Sequence, residues 1–172
     1  MFERLWNGWR STYVSSVGSS DDADESDESD GSVFTRILRS GVSDEEANIV
    51  HRGELVFAIL NAYPYGTGHT LVLPYREVAE LGSLTADETA ELWRTVTDTV
   101  RAIKAAYRPD GVNVGLNLGR PAGGSVSEHL HVHVVPRWTG DANFMTAVAN
   151  TRTLPEPLVE TARKVRAAWP VG

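Results

Sequence analysis

An α+β fold, with strands gathered around one long helix, is predicted by three features of the chain. Short apolar runs bounded by turn residues read as strands. A single long stretch, residues 85–107, carries apolar residues at helical spacing behind a capping signal. Strands and helices follow one another in mixed order rather than in repeated βαβ units. With 172 residues, 41% of them hydrophobic, the chain has the size and apolar content of one core-forming domain.

The elements follow in order. Phe2, Leu5, Trp6, Trp9 and Tyr13 recur at helical spacing, so residues 1–14 are expected to hold an amphipathic helix. Residues 15–31, SSVGSSDDADESDESDG, are expected to be an acidic, disordered linker, because such composition cannot bury enough apolar surface to order itself. The folded domain then runs from 32 to 172, opening with SVFTRILRSG. VHRGELVFAILN reads as two strands joined at Gly53, the second over 54–61. AYPYGTG is a proline- and glycine-punctuated loop, and HTLVLP is another buried strand.

Thr85 with Glu88 three residues on forms a capping box, and Leu92, Val96, Val100, Ile103 and Tyr107 share the face behind it. RPDG closes this helix. GVNVGLNL (111–118) is a strand, GRPAGGSVS a glycine-rich loop, and residues 129–136 a strand bearing histidines. Residues 156–168 are expected to form a short C-terminal helix.

Charge excludes some functions. Seven of the 23 acidic residues lie in the linker run; without them acidic and basic residues balance at 16 each. A neutral body with no basic stripe argues against nucleic-acid binding as the main task. No apolar run reaches membrane-spanning length and the N-terminus is too polar for a signal peptide, so cytoplasm is the expected compartment and no membrane partner is expected. The absence of cysteine excludes disulfides and thiolate metal sites.

Three of the five histidines, His129, His131 and His133, alternate in SEHLHVHVVPRW. On a strand they share one face, while Leu130, Val132 and Val134 point to the core. Backbone spacing of roughly 6.5–7 Å between alternate residues suits a phosphate. The middle imidazole can attack phosphorus while its neighbours donate to oxygens. Neutral imidazole is an adequate nucleophile, since its ordinary pKa is about 6.5. A metal site and a merely decorative row are the competing readings. Glu128, the nearest carboxylate, has the opposite strand phase and weighs against metal.

The H-x-H-x-H pattern resembles the signature of the histidine triad (HIT) superfamily of nucleotidyl hydrolases and transferases. NAYPYGTGHTLVLPYREV (61–78) resembles the same family's N-x-x-P-x-x-x-G-H-x-L-V-x-P segment, and the likeness covers roughly residues 32–145. RWTGDANF, TRTLPE and the aromatic N-terminal segment resemble the branch that contains diadenosine tetraphosphate phosphorylases.

This resemblance implies a HIT-like fold, an antiparallel sheet with one long helix and a short C-terminal helix. It implies that His131 is the nucleophile, that His129 and His133 orient it and contact phosphate, and that His69 packs beside the triad. Asn61 falls where the family binds ribose, although a turn-forming asparagine is as natural there. Val33, Phe34, Ile37 and Ile59 match positions that sandwich the base. Asn117, Gly124 and Ser125 would meet the polyphosphate, the glycine loop offering freed backbone N–H groups. His51 matches no catalytic position and reads as an ordinary surface histidine.

Departures from the pattern are informative. Many bacterial members bind structural zinc through C-x-x-C near the domain start; here Ser32 and Thr35 stand at those positions, and Glu77 stands where a further zinc-binding histidine falls. The structural zinc site is therefore expected to be absent. The usual G-Q-S/T-V loop is Gly124-Ser125-Val126-Ser127, which puts leaving-group contacts in question.

The implied function is cleavage of a nucleotide phosphoanhydride through a nucleotidyl-histidine, with diadenosine tetraphosphate phosphorolysis to ATP and ADP as the specific reading. The substrate partners would be a dinucleoside polyphosphate and inorganic phosphate. No cofactor is required, and Mg²⁺ enters, if at all, with the polyphosphate. A hydrolase or nucleoside phosphoramidase shares the first step. A nucleotide sensor without turnover is the reading from another class. Family habit implies a homodimer or higher homo-oligomer, joined through residues 85–107 and 112–118.

Overall fold

The computed structural model describes residues 31–124, 126–141 and 156–171. The expected N-terminal helix, the acidic linker up to Asp30, Ser125, residues 142–144 of RWTGDANF and residues 151–155 of TRTLPE lie outside them.

Five strands make one antiparallel sheet: β1 (Ile49–Arg52), β2 (Val56–Leu60), β3 (Thr70–Pro74), β4 (Gly111–Leu116) and β5 (Val132–Arg137). Their order across the sheet is β1-β2-β3-β5-β4. Every neighbouring pair is antiparallel, so the sheet and its mixed order match the expected α+β architecture.

The central strands are buried on both sides, and period-two geometry divides their side chains between two cores. On one face Val56, Ala58, Leu60, Val72, Val132 and Val134 pack against Leu92, Val96, Ala102 and Ile103 of the long helix. On the other, Phe57, Ile59, Leu71 and Leu73 pack with Ile49 and Phe34. Leu130, just before β5, joins the first core as expected. The histidines stand on the second face.

Two helices were not foreseen. α1 (Val33–Arg39) starts at Ser32, whose hydroxyl accepts from Thr35 N–H, and α2 (Asp44–Ala47) starts at a capping box of Ser43 and Glu46. Both carry N-cap signals but are too short to display an apolar stripe. α3 (Ala86–Tyr107) has the expected Thr85/Glu88 capping box. Arg76 grips both oxygens of Glu88, at 2.9 and 2.6 Å, and this pairing first, with the Thr85 N–H second, pushes the carboxyl pKa down to about 2. The strap fixes the start of α3 to the turn that follows β3.

α4 (Leu158–Ala167) is the expected C-terminal helix. Its Arg166 donates to the Ile49 and Asp44 carbonyls, and Glu156 just before it accepts from Tyr107, Thr161 and Lys164. These bonds pin α4 across α3 and the β1 edge. No helix of the described residues is long and apolar enough to cross a membrane.

The histidine strand is shorter than expected. β5 begins at Val132, and His129–His131 precede the ladder as an irregular lead-in anchored by the Leu130 N–H on the Val78 carbonyl, 2.7 Å away. The His129 and His131 side chains are both buried there.

Candidate active site

His129 is fully buried. Its Nε2 lies 2.9 Å from the Pro74 carbonyl oxygen, which can only accept, so Nε2 carries the proton. Nδ1 then accepts from the Ser32 hydroxyl, 2.6 Å away. Both ring nitrogens are engaged inside the protein, and burial holds the pKa below the ordinary 6.5. The expectation that His129 contacts phosphate fails on this point: its ring has no N–H left to offer. What it offers is its carbonyl.

That carbonyl accepts from Nδ1 of His131 at 2.8 Å. Nδ1 therefore bears the proton, and Nε2 of the neutral ring carries an in-plane lone pair. His131 is 7% exposed, and burial, the largest influence, keeps its pKa below the ordinary value. The sequence thus folds into a tautomer that a nucleophile needs.

A second chain of bonds fixes His133. The Tyr65 backbone N–H donates to Nδ1 of His69 at 3.0 Å, with the Asn61 amide nitrogen also near at 3.3 Å. His69 must then carry its proton on Nε2, which donates to Nδ1 of His133 at 3.0 Å. His133 is left with Nε2–H as a donor. Burial and then the neighbouring His131 push its pKa down to about 4, so it is neutral near pH 7. Asn117 Nδ2 lies 3.4 Å from that nitrogen. Since two N–H donors do not bond each other, this contact adds no hydrogen bond to the His133 Nε2–H.

The rings are gathered tightly. His131 and His133 have centroids 4.9 Å apart at 70°, and Tyr65 stacks on His133 at 5.8 Å. Phe34 meets His129 edge-on and His131 at a tilt, each at 5.5 Å. Phe34, Ile37 and Ile59 share one apolar cluster beside the histidines, so the residues expected to sandwich a base do come together. Phe34 and Ile59 are themselves almost wholly buried, and Val33 is exposed.

Other expected site residues land less simply. Asn61 accepts from the Tyr63 N–H and points its amide nitrogen at His69, which is the turn-forming role. In the glycine loop the Gly123 and Gly124 N–H groups turn inward rather than outward. Arg120–Ala122 form a short 3-10 turn, and the N–H groups of Gly123 and Gly124 donate to the Arg120 and Gly119 carbonyls. Gly124 is required for space, since a Cβ there would stand 3.0 Å from the Asn117 carbonyl oxygen. His51 is not an ordinary surface histidine: it is half-buried and stacks on Trp169 at 4.4 Å and 10°.

Among the described residues no three of His, Asp or Glu converge as a metal site would require. The residues that sequence reasoning missed are Tyr65, which supplies both the N–H that orders His69 and a ring over His133, and the Pro74 carbonyl beneath His129. A backbone contact across 55 residues leaves no mark in composition or spacing.

Among the described residues, a five-stranded antiparallel sheet packed on one long helix, with tautomer-locked histidines on the opposite face, is the architecture of one α+β protein class. The chain belongs to the HIT family: the HIT domain matches residues 42–140. It is 48% identical over 167 residues, 97% of this chain and 84% of the relative, to a protein named AP-4-A phosphorylase in Mycobacterium tuberculosis (strain ATCC 25618 / H37Rv). It is 34% identical over 92 residues, 54% of this chain and 61% of the other, to a bis(5'-adenosyl)-triphosphatase of Dictyostelium discoideum. Among solved structures, a zinc-bound histidine triad family protein from Mycobacterium smegmatis superposes with TM-score 0.65 at 30% identity, covering 80% of this chain and 91% of that one. A Hit-like protein from Bartonella henselae gives 0.63 at 25%, covering 80% and 95%.

Proposed function

We propose that this enzyme cleaves diadenosine tetraphosphate by phosphorolysis, with His131 as its nucleophile. The observation that carries the reading is the Nδ1–H bond of His131 to the His129 carbonyl, which leaves Nε2 unprotonated. The long, high-identity match to a relative named AP-4-A phosphorylase supports the substrate.

In the first step Nε2 attacks the α-phosphorus of one adenosine. The Nε2–P bond forms, the P–O bond to the bridging oxygen breaks, and ATP departs with that oxygen. The adenylylated imidazole is cationic, and the His129 carbonyl on its Nδ1–H stabilises that charge. His133 donates its Nε2–H to an oxygen of the reacting phosphate. In the second step an oxygen of inorganic phosphate attacks the same phosphorus, the N–P bond breaks, and ADP leaves with His131 restored.

Base packing falls to the Phe34, Ile37 and Ile59 neighbourhood, with Asn61 near the ribose and Asn117 and Gly124 on the polyphosphate side. Gly124 would have to exchange its internal N–H bond for a ligand oxygen. The enzyme works as a homodimer through α3 and β4. The exposed Trp93 on α3 and Val114 on β4, the sheet's edge strand, support this face. A cytoplasmic location agrees with the reaction's substrates.

The test is product analysis with and without phosphate. ATP with phosphate-dependent ADP supports phosphorolysis. AMP formed at a rate indifferent to phosphate makes the enzyme a hydrolase.

A further inference from the structure

One part-buried cluster beside the triad has no part in the steps above. Glu77, just past β3, accepts at Oε2 from the Ser32 backbone N–H at 2.8 Å and from the Thr35 hydroxyl at 2.7 Å. The Ser32 hydroxyl accepts from the Thr35 N–H at 3.2 Å and donates to Nδ1 of His129 at 2.6 Å. Ser32 is 2% exposed and 97 residues from His129 in sequence. Gly31, at φ +80°, makes the approach feasible: a Cβ there would lie 2.9 Å from the Glu77 carboxylate.

These are the positions at which the family resemblance implied structural zinc in other members. The donor set here, two hydroxyls, a carboxylate and one imidazole, does not fit a structural zinc, which takes thiolates and imidazoles. The same atoms satisfy one another by hydrogen bonds instead. The Ser32 and Thr35 bonds hold the Glu77 carboxyl below the usual range, as expected of a carboxylate that stays ionised as an acceptor.

We propose that Glu77 is a positioning residue for the reaction, clamping the start of α1 to the His129 ring through Thr35 and Ser32. The clamp acts on two things at once. It sets the His129 backbone, whose carbonyl holds His131 in the Nδ1–H tautomer, and it sets α1, whose Phe34 packs on the His131 ring. One side chain thus ties the nucleophile to the apolar helix beside it. The proposal rests on His131 being the reacting group.

Glu77→Ala and Glu77→Gln should be compared by steady-state kinetics and by imidazole ¹⁵N spectra. In the wild type His131 should be a single Nδ1–H tautomer, and Nδ1 of His129 should show a hydrogen-bonded lone pair. Glu77→Ala should lower kcat at least tenfold with KM within about threefold, weaken the His129 Nδ1 bond, and convert His131 to a tautomer mixture. Glu77→Gln, which keeps one acceptor oxygen, should fall between, and it carries the test if the alanine variant does not fold. A lower melting temperature with wild-type kcat and an unmixed His131 tautomer would overturn the proposal. If His131→Asn retained activity, the catalytic reading would fall instead, while the His129 ¹⁵N shift in Glu77→Ala would still report whether the clamp exists.

Discussion

His69 donates its Nε2–H to Nδ1 of His133 in a 3.0 Å hydrogen bond, and the direction of that bond is fixed by the Tyr65 backbone N–H on the far side of His69. One backbone donor therefore decides, two rings away, that His133 presents N–H rather than a lone pair to the ligand. Replacing His69 by asparagine should leave His133 free to take either tautomer. The expected cost is about 10²- to 10³-fold in kcat, the size typical of losing one preorganised donor. Measuring kcat beside a melting curve checks it. Unchanged kcat would show that His133 needs no partner.

The pH–rate profile should extend further into acid than a free histidine would allow. On the proposed mechanism His131 must be neutral to attack, and burial holds its pKa below 6.5. Protonation therefore removes the nucleophile only below that value. kcat/KM should stay level from about pH 8 to 6.5 and decline beyond, as titration proceeds. An acid limb centred at or above 6.5 would contradict the buried, neutral ring.

Stability should follow the same sign. His129, His131 and His133 all have folded pKa values below the unfolded value of 6.5, so the unfolded chain binds more protons in acid. Their contribution is present above pH 6.5 and is lost as pH falls toward about 4, the value for His133. Thermal melts between pH 7.5 and 4.5 should show a falling melting temperature, and His133→Asn should flatten part of that slope.

Gly68 precedes His69 at φ +83°, where an added Cβ would stand 3.1 Å from the Pro136 ring. Gly68→Ala combines an unfavourable left-handed residue with crowding of β5. It should destabilise the fold by ~1–3 kcal/mol and lower kcat by displacing His69. Chemical denaturation and kinetics on one preparation check both. Wild-type stability would mean the loop shifts freely, and the close packing of Gly68 would have no consequence.

Much of this was legible in the chain. The continuous apolar runs of β2 and β3, the Thr85/Glu88 box and the histidine row each carry a local signal. The family motif located the residues now gathered around His131. What escaped is non-local or backbone-borne. Ser32 reaches His129 only because α1 folds over the sheet, and the His129 carbonyl and Tyr65 N–H have no side-chain identity to read. The three histidines were expected to lie on one strand, but His129 and His131 precede the ladder, which begins at Val132. His51 was misjudged because its stacking partner, Trp169, comes from the far end of the chain.

Intact-mass and peptide mass spectrometry after a rapid acid-free quench of the enzyme with diadenosine tetraphosphate, phosphate omitted, examines the nucleophile directly. Wild-type protein should gain the mass of one AMP moiety on the peptide holding His131, and added phosphate should discharge it as ADP. His131→Asn should gain nothing and turn over on the order of 10³-fold slower or worse, while melting close to the wild type. An adduct mapped to another residue, or an asparagine variant that turns over normally, would contradict the account.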